Sequence, residues 1–204
     1  MPITRRLKRY AKCFDRALDD LYYSKYNENM RDIIKYSLTG GKRMRPSIIY
    51  DILKSLKSDV DGSYLAICTE LIHSSSLIID DLPCMDNDEM RRGRETVHKK
   101  YGLLTAKMLS TLLISDAHSM LFKMYDIING NNRYIDLEDR MLMVIDNITT
   151  NIGIEGAAYG QYLDMLPKYS DEFAEDVLSG EMKHYKDESL MHEIGEKKTG
   201  VIFE

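Results

Sequence analysis

Cysteine is scarce: the 204 residues hold three, Cys13, Cys68 and Cys84. They are odd in number and none stands in a CxxC pair, which argues against a disulfide framework or a zinc site and favours a reducing compartment, read here as cytoplasmic. Glycine and proline are few as well, 12 and 4 residues, while hydrophobic residues make up 44%, so the chain is globular rather than disordered. No apolar run approaches the length of a membrane-spanning helix, and the N-terminus lacks the apolar region of a signal peptide. A basic excess is missing too: the net charge is −5, which does not suggest a nucleic-acid binder. Strand-like alternation and internal repeats are absent. Length suits one domain or slightly more, taken here as a single all-helical domain over 1–204, with seven or eight helices in one bundle.

What the chain does have is concentrated charge. From Asp80 to Arg94 (DDLPCMDNDEMRRGR) five acids run into three arginines and a glycine. Clustered carboxylates suit hard divalent cations such as Mg²⁺, which often bridge protein oxygens to substrate phosphates. Arg91 and Arg92 suit phosphate oxygens, which guanidinium groups grip in bidentate fashion. The segment therefore proposes a metal-bridged polyphosphate site, the alternative being a polar helix end and its turn.

The residues before it favour the site. His73 lies seven positions ahead of Asp80 and points nearly the same way on a helix. Glu70 to Asp80 reads as a mostly apolar helix with one polar ridge, which Pro83 should break near Leu82. Asp80 and Asp86 are six apart, about 240° round a regular helix, and can share a metal only if the backbone between them is irregular.

A second charged stretch, Gly40 to Pro46 (GGKRMRP), frees the backbone with two glycines and places Pro46 to open a helix. A helix N-terminus ringed by Lys42, Arg43 and Arg45 is a ready diphosphate site, and equally a basic turn between helices. Upstream, the residues from Thr4 to Tyr23 form an amphipathic stretch, basic first and acidic later, most simply a surface helix, with a membrane-surface role for Arg5, Arg6, Lys8, Arg9 and Lys12 as the alternative. Met30 to Leu38 is a further helix.

Downstream, Val97 to Phe122 is apolar on more than one face and reads as one buried helix, Gly130 to Arg133 as a loop, and Leu137 to Thr150 as helix. Gly153, Gly156, Ala157 and Gly160 would let another helix approach closely, which makes Gln161 and Asp164 buried and paired rather than surface residues. Lys198 and Thr199 stand where they can meet a phosphate.

GGKRMRP at Gly40, His73, DDLPCMD at Asp80, RRG at Arg91, GQYLD at Gly160 and KTG at Lys198 occur in one order. In that order the chain resembles the trans-prenyl diphosphate synthases (polyprenyl synthetases), closest to geranylgeranyl and farnesyl diphosphate synthases. The resemblance implies an isoprenoid-synthase-like helical bundle, here incomplete at the C-terminus because no second aspartate-rich motif follows the KTG segment. It implies Mg²⁺ on Asp80, Asp86 and Asp81; an allylic diphosphate held by Arg91, Gln161, Lys198 and Thr199; and isopentenyl diphosphate held by Lys42, Arg45, His73 and Arg92. Asp164, beside Gln161, is read with the substrate residues. The implied reaction is prenyl transfer without a protein nucleophile. Small side chains at Ser75 and Ser76, one turn before Asp80, leave room for a long product and favour geranylgeranyl over farnesyl diphosphate. A homodimer, or a heterodimer with a full-length synthase, is the implied assembly.

The pattern has departures. Ile79 stands where a histidine often precedes the paired aspartates, Leu103 replaces a glutamate, Ser110 and Thr111 replace a Gly-Asp pair, and Gly195 lies near a family histidine, with His192 displaced. A shortened, non-catalytic homologue that pairs with a complete synthase and adjusts its product is the alternative function. An unrelated helical scaffold is the third reading, and a terpene cyclase is disfavoured because it has no use for GGKRMRP.

Overall fold

The structure is a computed structural model that describes residues 3–153, 155–173 and 188–198. The chain divides into two compact units, Met1–Ile135 and Asp136–Glu204.

The first unit begins with α1 (Ile3–Ala17), whose apolar side carries Phe14 and Ala17 into the core. A π-helical turn, Leu18–Tyr22, and a 3₁₀ turn, Tyr23–Lys25, follow. Tyr22 is fully buried and donates its hydroxyl to Asp116 at 2.8 Å, so burial and that carboxylate push its pKa far up. α2 (Glu28–Leu38) starts on Asn27, whose side chain accepts from the Met30 N–H at 3.0 Å. α3 (Met44–Ser55) carries Pro46 in its first turn, where a missing N–H costs nothing.

The centre is α4 (Ser63–Asp80) packed on the long α6 (Leu103–Asn129). α4 buries Ala66, Ile67, Cys68, Leu71 and Ile78, and α6 buries Ala106, Leu109, Leu113, Ala117 and Met120. Each large aliphatic side chain in that seam stabilises the fold by about 1.5–3 kcal/mol. The helix expected over Val97 to Phe122 is in fact two, a short α5 (Val97–Tyr101) and α6, because Gly102 takes φ +89 and turns the chain.

Strand was not expected, yet a two-residue ladder joins β1 (Met90–Arg91) to β2 (Arg94–Glu95). Its loop is Arg92-Gly93, both at positive φ (54° and 75°), the geometry of a type I′ hairpin, which arginine and glycine produce without any strand-like run.

The second unit holds α7 (Glu138–Ile152), α8 (Ala157–Phe173) and α9 (Glu188–Lys198). α8 and α9 pack closely. A Cβ on Gly160 would fall against the backbone of Lys197 and Lys198, so the small residue expected to admit a helix does so here.

Candidate functional site

α4 ends at Asp80, and the following turns fold back so that the Asp86 N–H donates to the Asp80 carbonyl at 2.9 Å. Asn87, at φ 54, donates to Leu82 at 3.0 Å and completes the reversal. The backbone between Asp80 and Asp86 thus departs from a regular helix. Among the described residues no three His, Cys, Asp or Glu side chains cluster as a metal cage. Mg²⁺ does not need one, since it commonly takes one or two carboxylates plus water and substrate phosphate. Asp80 and Asp86, which that backbone hydrogen bond joins, are two carboxylates of the kind such a site uses.

Asp81, the third candidate ligand, has a different task. It is buried, and its Oδ1 receives both Nε and Nη2 of Arg91 at 2.6 and 2.5 Å. Burial raises the Asp81 pKa while Arg91 pulls it back, and the contact holds Arg91 firmly protonated. Asp88 lies 3.5 Å from the same Nη2. Arg91 thus sits between two carboxylates with Asp80 acting on it as well, so Asp81 fixes an arginine.

The turn before α3 meets the hairpin. Gly40 adopts φ +83 against the aliphatic part of Arg92, and a Cβ on Gly41 would stand 3.0 Å from Arg43 Nη1, Arg92 Nη1 and Glu70 Oε1. Arg43, a candidate anion ligand, is engaged within the protein. It starts α3 at φ 55, gives Nε to Asp15 at 3.0 Å and Nη1 to buried Glu70 at 2.7 Å, and lies over the Phe14 ring. Two of the protein's own carboxylates already hold it.

The remaining basic residues converge on His73. Burial lowers its pKa to about 4, helped by Arg45, Arg92 and Arg91 in that order. Arg45 of α3 and Arg92 and Arg91 of the hairpin thus add to burial in favouring the uncharged form of the ring. Burial also lowers the Arg92 pKa, with Glu70 opposing it. Lys42 is exposed at the turn. A multiply charged anion suits such a place, since it restores balance to cations brought together.

Behind the hairpin is a shallow, partly open cleft lined by Tyr36, Thr39, Ser74, Asp81, Arg91 and Arg92 among others. It opens on a face of α4 roughly 80–100° away from His73 and Asp80. The Ser74 hydroxyl there is buried with no partner among the described residues.

Ser75 and Ser76 do not form one open wall, contrary to the expectation. Ser75 is buried and bonds the Ser110 hydroxyl of α6 at 2.8 Å, while Ser76 is exposed and donates to the His73 carbonyl. Adjacent residues on a helix diverge by about 100°, and only Ser75 faces the α4–α6 seam.

In the second unit Lys198 donates to Asp164 at 2.5 Å, both side chains being about a third exposed, so Asp164 is paired as expected but not buried. Gln161 Nε2 is buried with no partner among the described residues. Thr199 lies outside the described residues.

Glu70 and Asp15 were not singled out from the sequence. The available signal was an acid in an otherwise apolar helix, three residues ahead of His73.

The helical layout has solved counterparts. A geranyltransferase from Legionella pneumophila superposes with a TM-score of 0.74 at 27% identity, over 98% of this chain and 64% of that one. An FPP/GFPP synthase from Zymomonas mobilis, at 24% identity and a TM-score of 0.73, shares the fold. The class is thus the all-α isoprenoid-synthase fold. A family model of polyprenyl synthetases matches residues 27–204, and the chain belongs to that family. It is similar to a farnesyl diphosphate synthase of Micrococcus luteus, 38% identical over 145 residues covering 70% of this chain and 46% of that protein. A geranylgeranyl diphosphate synthase of Pseudescherichia vulneris is 33% identical over 144 residues, covering 68% and 43%. The chain spans about half the length of these relatives.

Proposed function

We propose that the chain is a prenyltransferase that condenses isopentenyl diphosphate with an allylic diphosphate, forming geranylgeranyl or farnesyl diphosphate. The observation that carries this is the meeting of two charged turns, the Gly40–Gly41 turn lying against Arg92 of the hairpin, with Arg45, Arg92 and Arg91 all acting electrostatically on His73. The names of the relatives, farnesyl and geranylgeranyl diphosphate synthases, support it.

In this reading Lys42, Arg45, His73 and Arg92 receive isopentenyl diphosphate, His73 donating a hydrogen bond from a neutral ring. Arg91, held in place by Asp81, faces the allylic diphosphate; Gln161, Lys198 and Thr199 are assigned to that substrate by the family motifs, with Asp164 orienting Lys198. Asp80 and Asp86 would hold Mg²⁺, which supplies charge to the departing diphosphate. The allylic C–O bond breaks with its electron pair leaving on diphosphate, the double bond of isopentenyl diphosphate attacks the allylic carbon, and a proton is lost from the resulting cation. The chain's own part is to orient both diphosphates and to keep water and nucleophiles away from the cation. The enzyme in this reading is cytoplasmic and dimeric.

The test is conversion of labelled isopentenyl diphosphate plus an allylic diphosphate in Mg²⁺. Wild-type protein makes product and Asp80→Ala loses at least a hundredfold, the order of one electrostatic stabiliser. If the chain is inert alone but shifts the product profile of a co-expressed complete synthase, the catalytic reading fails.

A further inference from the structure

The exposed cations of α1 fall on one stripe. Arg5, Lys8, Arg9, Lys12 and Arg16 are all exposed. At about 100° and 1.5 Å per residue they lie within an arc of about 100° and along about 17 Å of helix. The sixth cation, Arg6, points elsewhere and pairs with Asp51 of α3 at 2.8 Å. Asp15, the one acid in α1, is taken by Arg43 at 3.0 Å. The next acids, Asp19 and Asp20, come in the π-helical turn, where Asp19 pairs with Lys35 at 3.1 Å. Among the described residues no carboxylate lies within ion-pair distance of the five stripe cations.

We propose that this stripe seats the protein on a membrane surface rich in anionic phospholipid. The stripe contributes +5 to a chain whose net charge is −5, which leaves −10 on everything else. A long nucleic acid would find only about 17 Å of basic helix on a chain whose remaining charge is negative, and would be repelled by it. A protein partner would want an aromatic or aliphatic anchor, and the stripe has none. The other side of α1 is committed to the core through Phe14 and Ala17, so the helix adsorbs by charge and does not insert. Binding of this kind is reversible and strongly salt-dependent.

The experiment is co-sedimentation of the whole chain with vesicles of phosphatidylcholine alone or with phosphatidylserine added. At about 0.1 M salt the protein pellets with the anionic vesicles only, and at about 1 M salt it is released. Lys8→Gln/Arg9→Gln/Lys12→Gln weakens partitioning about a hundredfold, roughly fivefold per cation. A control with the same charge change elsewhere, Lys54→Gln/Lys57→Gln/Lys107→Gln, loses far less. Failure of wild-type protein to pellet with anionic vesicles, an equal loss in the control, or binding of single-stranded RNA as tight as vesicle binding would each overturn the proposal. The wild-type arms stand even if a variant fails to fold.

Discussion

Glu70 holds the Arg43 guanidinium at 2.7 Å, with side-chain exposures of 3% and 10%. The pair joins the start of α3 to α4 beneath the basic turn, and it explains why one of three adjacent cations is structural. Removing one member of a buried pair leaves the other charge desolvated. Glu70→Ala therefore costs about 2–4 kcal/mol in chemical denaturation, somewhat less than an isolated buried pair because Asp15 remains. Arg43→Ala likewise loses stability while its affinity for inorganic pyrophosphate, measured by calorimetry, changes much less than that of Arg92→Ala. The opposite ranking would return Arg43 to the ligand.

His73 gives a pH prediction. Its folded pKa of about 4 is below the ordinary value of 6.5, so the unfolded chain takes up its proton first as pH falls. The stability attached to the neutral ring is fully present above 6.5 and is lost between 6.5 and 4. Imidazole NMR resonances should place the His73 midpoint near 4, and added pyrophosphate should raise it by offsetting the arginines. A midpoint near 6.5 without ligand would mean that the ring is neither buried nor crowded by the cations.

Gly160 meets main-chain atoms of α9, which cannot move aside as a flexible side chain can. Gly160→Leu should cost about 1–3 kcal/mol by overpacking and speed amide exchange in α8 and α9. Unchanged exchange would show that the two helices do not need this contact.

Ser75 and Ser76 separate by burial. Ser75→Phe inserts a ring into the α4–α6 seam, costing about 1–3 kcal/mol and shortening the product if that seam receives the growing chain. Ser76→Phe stays within about 0.5 kcal/mol and leaves the product unchanged. Product chromatography beside thermal melts distinguishes them, and equal effects on product would contradict the assignment.

Much of this was legible in the sequence. The apolar run into Asp80, the break forced by Pro83 and the ridge from His73 follow from helical spacing alone, as does the close approach at Gly160. The roles of Arg43 and Asp81 were not legible, because adjacent like residues are told apart only by which buried partner reaches them: Glu70 is 27 positions from Arg43, and Arg91 is 10 from Asp81. The Arg92-Gly93 hairpin was hidden because two left-handed residues carry no hydrophobic period. Ser75 and Ser76 looked equivalent until α6 was placed against one of them.

The most direct test of the central claim, that cations gathered round a neutral His73 bind a diphosphate, is the melting temperature with and without isopentenyl diphosphate. A ligand at a hundred times its Kd stabilises the native state by about 2.7 kcal/mol. Wild-type protein should melt several degrees higher with the ligand, and Arg45→Gln/Arg92→Gln should show no rise. No rise in wild-type protein, or the same rise in the double variant, would contradict the account.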